Sequence, residues 1–473
     1  MNAKKLFGYA LGPLGSAAAS ALSLPLISWY FSADDIGRIV LLQAVSSLTL
    51  LVLGLGLDQA YIREYYSAPD KAQLFKTIVV PPMILAFAGM FAVFWYPEWL
   101  SIQILALDDA TLGLWCLLFF GGILLPRYLS LILRMQERAF AFSLSQFTPK
   151  VLILFFVLLY IAVQAPKTTF YLIAAYTVAQ WCCAVILMWQ TRHELLAAAK
   201  AERNTTQLKE TLRYGIPLAA AGLAYWGLSS IDRFALKKLA GLSELGVYSM
   251  AVSFGAIALI FQSIFSTIWA PMVFKWIEGE QENLKKIGTI VDSMLSLIIM
   301  ILCVIGLFSP LVPMILPANY APVQFILLSS ILFPLLYTLT EVTGIGINVS
   351  KQTWLITVIS LIALVCNLAL LYWLIPLFGA RGAAIATATS FWLFFVMKTE
   401  CSIRLWQPLP RKKLYGTTLA CLISCIAYTC WGNPTNYFIF AAFWLLVTIG
   451  LYLRHKHQLH TMILMIRGRL KSN

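Results

Sequence analysis

Ionisable side chains inside long apolar stretches are the residues of this sequence that could do chemistry. Arg127 and Lys150 lie well inside two consecutive apolar segments, and Arg233 lies near the end of a later one. An ionisable group at bilayer depth costs at least about 2.5 kcal/mol, so it normally faces a cavity or a partner. Because consecutive segments are antiparallel, we expect Arg127 and Lys150 at similar depth, where an anion between them would relieve their repulsion.

Carboxylates near the same segments could pair with these cations. Asp58 closes the second apolar segment, Asp292 opens the ninth and Glu341 lies in the tenth. Two interpretations stay open: the cations bind an anionic substrate, or each one pairs with a carboxylate or extends to the lipid headgroups. Arg63 follows the second segment and belongs either to the mouth of a cavity or to the basic residues expected on the cytoplasmic side.

The sequence shows no pattern of a catalytic or metal site. Its nine cysteines are odd in number and almost all lie inside apolar segments, which argues against a disulfide framework. His455, His457 and His460 follow the last apolar segment among basic residues and indicate an interfacial helix. Asp34-Asp35 and Asp108-Asp109 are typical of helix starts. We therefore expect no catalytic residues, no metal and no cofactor, and predict that the protein is not an enzyme.

Composition indicates a membrane protein. Hydrophobic residues make up 60% of the 473 residues and charged residues 11%, and the mean hydropathy is +0.82. Soluble domains are near a quarter charged. A helix needs about 20 mainly apolar residues to cross the hydrocarbon core, so the sequence predicts an all-α polytopic membrane protein of about fourteen transmembrane helices. The predicted segments are 6–31, 36–60, 77–96, 110–133, 141–163, 169–189, 212–236, 244–271, 287–309, 322–347, 353–376, 381–400, 412–431 and 436–453.

The distribution of basic residues orients these segments. An even number of segments puts both termini on one side, and placing them in the cytoplasm assigns 26 of the 34 Lys and Arg residues to that side, against five outside. The positive-inside rule therefore predicts cytoplasmic N- and C-termini in the cell inner (plasma) membrane. The net charge of +14 then reflects orientation and contact with anionic headgroups, and we expect no nucleic-acid partner.

A sequence pattern repeats after a charged linker. Gly37 in SADDIGRIV and Gly246 in LSELGVYSM are 209 residues, or six segments, apart. Because six is even, the two halves share an orientation, which is the parallel-repeat arrangement of some secondary transporters. We predict an N-terminal six-helix lobe at 1–190, a cytoplasmic linker at 191–211, a C-terminal six-helix lobe at 212–400, and a helix pair with a basic cytoplasmic tail at 401–473.

The chain resembles the Wzx-type O-antigen and capsular polysaccharide flippases of the multidrug/oligosaccharidyl-lipid/polysaccharide exporter superfamily. Three motifs carry the resemblance: GLGLDQAYIREYY at 54–66, YGIPLAAAGLAYWGLSSIDRFALKKLAGLSELGVYSMA at 214–251 and LIPLFGARGAAIATATS at 374–390. It implies a transporter that moves an undecaprenyl-diphosphate-linked oligosaccharide from the cytoplasmic to the periplasmic leaflet. Two lobes would give alternating access to a cationic cavity during O-antigen, capsule or exopolysaccharide biosynthesis.

The resemblance also suggests roles and partners. Arg127 and Lys150 are the expected diphosphate contacts, with Arg63 at the entrance and Arg233 as a further substrate-binding cation. Asp58, Glu341 and Asp292 are candidates for ion coupling or for gating salt bridges. The expected partners are the lipid-linked oligosaccharide, membrane lipids, an H⁺ or Na⁺ coupling ion and other polysaccharide assembly proteins.

Two alternative functions follow from the same sequence. An ion-coupled multidrug exporter of the same superfamily would favour intramembrane carboxylates, and Glu341 and Asp58 keep that alternative open. A membrane polysaccharide polymerase or glycosyltransferase would need a substantial outside loop or an acidic cluster, whereas the longest outside loop is about 97–109. The first segment lacks the arginines that peptidoglycan-precursor flippases carry early in the chain, which disfavours that substrate.

Overall fold

The computed structural model describes residues 3–279, 284, 286–451 and 453, and that part of the chain is α-helical with no β-strand. His455, His457, His460 and most of the expected basic tail lie outside the described residues. The helices are α1 Ala3–Tyr30, α2 Ala33–Gly54, α3 Leu57–Glu64, α4 Lys71–Phe94, α5 Pro97–Leu105, α6 Ala110–Met135, α7 Ala139–Ala162, α8 Thr169–Gln190, α9 Arg192–Lys200, α10 Thr205–Leu239, α11 Leu242–Phe254, α12 Ala256–Gly279, α13 Ile287–Phe308, α14 Val312–Ile315, α15 Val323–Thr343, α16 Ile345–Val349, α17 Trp354–Phe378, α18 Ala380–Leu405, α19 Arg411–Trp431 and α20 Tyr437–Leu451.

These helices follow the predicted apolar segments closely. Each of the fourteen segments coincides with one long helix or with two consecutive helices. Within the described residues, ten helices are long and apolar enough to cross a membrane. The prediction of an all-α polytopic membrane protein is therefore confirmed.

The described chain forms two compact units. The first unit is Met1–Ile260 with Ile356–Ala383, and the second unit is Phe261–Leu355 with Ala384–Asn473. The linker expected at 191–211 contains α9 and the first residues of α10. The lobe boundaries deduced from the sequence stay a prediction.

A glycine-rich break divides the second predicted segment into α2 and α3. Leu55 and Gly56 adopt left-handed backbone conformations, with φ of +51° and +68°. A Cβ atom on Gly56 would also collide with the backbone carbonyl of Gly215 in α10. Both conditions require glycine at position 56. The break redirects the chain, so that Asp58 and Arg63 lie on a separate short helix.

The two glycines of the repeat meet each other across α2 and α11. A Cβ atom on Gly37 would collide with the backbone oxygen of Leu242, and one on Gly246 would collide with that of Ala33. Leu242 follows Ala33 by 209 residues, which is the spacing that separates the two glycines. Residues that the predicted repeat makes equivalent therefore exchange equivalent contacts between α2 and α11.

A second pair of equivalent contacts joins these helices to α8 and α18. The Asp35 carboxylate accepts hydrogen bonds from the hydroxyl of Thr169, the first residue of α8, and from Arg38 Nη1 at 3.0 Å. The Glu244 carboxylate, 209 residues after Asp35, accepts one from the backbone amide of Ala380, the first residue of α18, at 2.7 Å. In both places an acidic residue near the start of one helix, α2 or α11, accepts a hydrogen bond from the first residue of another helix, α8 or α18.

We predict that Gly37→Ala and Gly246→Ala each destabilise the protein by about 1–3 kcal/mol, because each new methyl group meets a backbone carbonyl that cannot rotate away. The measurement is the thermal unfolding midpoint of the purified protein. Gly416→Ala is the matched control, since nothing lies within 4 Å of its Cβ position in α19. The control should match or exceed the wild-type midpoint, and equal midpoints for all three variants would contradict the close approach.

Candidate functional site

Two adjoining cavities in the first unit contain two of the cations predicted from the sequence. The smaller one has a volume of about 160 Å³ and contains Lys150, and the larger has about 310 Å³ and contains Arg233. Val40, Gln43 and Ser253 line both cavities, so the two are neighbours. Each is large enough to hold water.

The Lys150 cavity lies among α1, α2, α7 and α8. Its polar side chains include Ser20, Ser23, Gln43 and Tyr176, and its apolar lining comes from isoleucines and leucines of the same helices. α1 can approach α7 closely because Gly12 has no side chain. A Cβ atom at this position would lie only 2.8 Å from Ser143 Cα. The small residues of α1 therefore serve both packing, at Gly12, and cavity lining, at Ser20.

Lys150 is the charged group of this cavity. It follows Pro149 in the middle of α7, and no hydrogen bond or ion pair joins its ammonium to another described residue. A charge left without a partner inside a protein is costly. The arrangement therefore favours water or an anionic ligand beside Lys150.

The Arg233 cavity lies between α2, α10 and α11 and is mainly polar, with Ser47, Ser230 and Ser249 in its lining. Arg233 Nη1 donates to the carbonyl oxygen of Ser229 at 3.4 Å. The adjacent carboxylate of Asp232 is buried and accepts hydrogen bonds from the Tyr248 hydroxyl and from the backbone amide of Arg233. The Arg233 guanidinium can therefore contribute a second positive charge close to the Lys150 cavity.

Arg127 lies in a different setting from Lys150. Its Nη2 atom is 2.5 Å from Asp58 Oδ2, and the Arg127 side chain is half exposed. The pair joins α6, where Arg127 follows Pro126, to the first turn of α3. The sequence left two interpretations open, and the structure pairs Arg127 with a carboxylate. It shows no such pair for Lys150 within the described part of the chain.

Arg63, at the other end of α3, contacts α10. Its guanidinium lies 4.3 Å from the ring centroid of Tyr214, and its Nε atom is 3.7 Å from the carboxylate of Glu64. The side chain is more than half exposed, so this ion pair contributes little to stability. Stacking on Tyr214 nevertheless fixes the direction of the arginine.

The predicted carboxylates of the second unit are both paired with lysines. Glu341 in α15 is 3.7 Å from Lys398 Nζ of α18, and the Lys398 side chain is only 7% exposed. The Lys398 ammonium lies 5.8 Å from the ring centroid of Tyr337 and 5.7 Å from that of Phe394. Asp292 pairs with Lys413 at 2.6 Å, but both side chains are more than a third exposed.

Sequence reasoning missed Lys398 and Gln43. The distribution of basic residues counts Lys398 with the cytoplasmic side, although position 398 lies within the predicted segment 381–400 and α18 continues to Leu405. The apolar run FWLFFVM before Lys398 was the available signal. Gln43 had no comparable signal, since the sequence does not show that a single amide in an apolar helix lines a cavity.

Among the described residues, no group of three His, Cys, Asp or Glu residues is placed to hold a metal ion.

Solved structures with the same fold are membrane transporters. The lipid II flippase MurJ in an inward closed conformation aligns with a TM-score of 0.69 at 14% identity, covering 97% of this chain and 98% of that one. An inward-facing multidrug resistance MATE family transporter of the MOP superfamily gives 0.57 at 13% identity, covering 85% and 96%. A MOP superfamily transporter from Pyrococcus furiosus gives 0.54 at 13% identity, covering 88% and 96%. At these identities the likeness shows the fold.

Sequence comparison identifies the family. No curated protein matches this chain. The model of the family described as polysaccharide biosynthesis protein matches residues 3–277, which is more than half of the chain and includes both cavities described above. The chain therefore belongs to the polysaccharide biosynthesis protein family.

Proposed function

We propose that the protein is a flippase that moves an undecaprenyl-diphosphate-linked oligosaccharide from the cytoplasmic to the periplasmic leaflet of the inner membrane. The glycan would be destined for O-antigen, capsule or exopolysaccharide. The single observation that carries the proposal is the Lys150 ammonium, which has no partner among the described residues and lines a cavity with both polar and apolar walls inside a membrane protein. Membership of the polysaccharide biosynthesis family and the fold shared with a lipid II flippase support it.

The chemistry of the cavities suits such a substrate. A diphosphate carries its negative charge on oxygens that accept hydrogen bonds from lysine and arginine, and these contacts strengthen where water is scarce. Lys150 and Arg233 supply two cations in adjoining cavities, and the serines and Gln43 supply groups that can bind sugar hydroxyls. Flipping neither forms nor breaks a covalent bond, so these residues bind and release and do not catalyse.

The paired charges have a different role in this proposal. Arg127–Asp58 holds α6 to α3, and Glu341–Lys398 holds α15 to α18. Alternating access requires contacts that form in one state and break in the other. We assign both pairs to gating, with Glu341 as the carboxylate through which an H⁺ or Na⁺ ion could drive the cycle. In this proposal Arg63 lies at the cytoplasmic entrance. The Asp292–Lys413 pair is exposed, so we expect it to contribute little to gating.

Deletion of the gene tests the proposed function against multidrug export. We expect lipid-linked glycans to accumulate in the cytoplasmic leaflet and surface polysaccharide to disappear, while drug tolerance stays unchanged. Normal leaflet distribution of the glycans with reduced drug tolerance would instead favour the exporter.

The orientation of the protein is tested by placing single cysteines in the loops and labelling them from one side of the membrane. Both termini are expected in the cytoplasm.

Lys150→Met should lower transport at least about tenfold, because one ionic contact to the substrate is worth about 1.5–3 kcal/mol. Restoration of surface polysaccharide in the deletion strain is the measurement, with membrane abundance checked for each variant. Lys150→Arg keeps the charge and should retain part of the activity. Lys209→Met, an exposed lysine of α10 that lines neither cavity, is the control. Full activity of Lys150→Met would remove this residue from the site.

A double-mutant cycle distinguishes a gating pair from a direct substrate contact at Arg127. If the Arg127–Asp58 pair is what matters, Arg127→Gln and Asp58→Asn lower transport by similar factors, and the double variant is no worse than either. If Arg127 instead binds the diphosphate directly, Arg127→Gln is the more severe change and Asp58→Asn is tolerated. The second result would contradict the gating assignment.

The Glu341–Lys398 pair should behave as a buried ion pair. Glu341→Gln or Lys398→Met alone leaves one charge uncompensated and should destabilise the protein by about 3 kcal/mol. The Glu341→Gln/Lys398→Met double variant should recover much of the unfolding midpoint but not transport, because the gate has lost its charges. A double variant that transports normally would assign the pair to stability alone.

A further inference from the structure

A third cavity lies in the first unit, between α4 and the start of α10, and shares no lining residue with the two cavities of the substrate site. Its volume is about 380 Å³. Val80, Pro81, Ile84 and Leu85 form an apolar wall on α4. The lining on the other side includes Arg203, Asn204, Thr205 and Leu208, so the cavity has a polar part and an apolar part.

α4 sets the direction of this cavity relative to the membrane. Thr77 begins the third predicted membrane segment, and its Oγ1 atom accepts a hydrogen bond from the backbone amide of Asn204 at 3.4 Å. The polar part therefore lies level with the membrane surface. Ile84 and Leu85 are exposed on α4 and lie about two helical turns further along, roughly 10–12 Å deeper at a rise of about 1.5 Å per residue.

The surface end of the cavity carries positive charge. Arg203 is exposed, and no hydrogen bond or ion pair joins it to another described residue. α10 begins at Thr205, and the N-terminus of a helix carries a partial positive charge. The side chain of Asn204 caps this terminus by accepting from the backbone amide of Gln207 at 3.0 Å. A negatively charged group beside Arg203 would complement both charges.

We propose that this cavity binds an anionic phospholipid of the surrounding bilayer. The phosphate lies beside Arg203 and the start of α10, and an acyl chain lies along Val80, Ile84 and Leu85. This occupant fits because its charged and apolar ends are ordered along the membrane normal in the same direction as the two ends of the cavity. A bound lipid would hold the connection between α9 and α10 against the membrane surface.

Lipid binding to the purified full-length protein tests this site. Native mass spectrometry in detergent would be used to titrate phosphatidylglycerol, with phosphatidylcholine as the neutral comparison. We expect phosphatidylglycerol to bind more tightly, and Arg203→Ala to weaken it about fivefold, since one basic residue near a lipid surface contributes about 1 kcal/mol. Arg192→Ala, an exposed cation at the start of α9 that does not line the cavity, is the matched control.

A second variant tests the apolar part without changing charge. Val80→Phe fills the space along α4 and should also weaken phosphatidylglycerol binding, while the unfolding midpoint without lipid verifies that the variant is folded. Equal binding of the two lipids, or unchanged binding by both Arg203→Ala and Val80→Phe, would overturn the proposal. Displacement of phosphatidylglycerol by a lower concentration of undecaprenyl phosphate would also overturn it, because the cavity would then belong to the transported lipid.

Discussion

A charge inside a bilayer needs a partner or a water-filled cavity, and this requirement explains where the ionisable side chains of the protein lie. Arg127 and Lys398 satisfy it with carboxylates on neighbouring helices. Lys150 satisfies it with a cavity that also contains serines and Gln43. The distinction matters for function, since a paired cation can hold two helices together, whereas a cation in an open cavity is available to a ligand.

The same requirement applies to the backbone, because lipid offers no hydrogen-bond partner to a broken helix. The break between α2 and α3 is covered by close backbone packing of Gly56 against Gly215 of α10. It produces a short polar helix whose two ends carry Asp58 and Arg63. Without the break, α2 would continue straight and Asp58 could not approach Arg127. The glycine-rich motif after the second segment is thus a condition for the ion pair.

The fold could be predicted from the sequence far better than the site. Apolar segment length determines where membrane helices lie, so α6, α8 and α13 begin within a residue of the predicted positions. The partner of a charge depends on how helices pack, which a single sequence does not encode locally. Arg127 and Lys150 therefore looked alike in the sequence, although one is paired and the other lines a cavity. Lys398 lies near the end of the predicted segment 381–400, where a lysine fits the basic cytoplasmic side equally well, so the sequence does not mark it as buried.

The contact between α2 and α11 limits how the sequence can change. Gly37 and Gly246 each face a carbonyl group of the opposite backbone, not a side chain. Every residue type except glycine carries a Cβ atom, and every residue type carries the same carbonyl, so no change of side chain on the opposite helix can make room for a substitution. A loss of either glycine can be repaired only by moving a helix. The two positions are consequently fixed independently of each other.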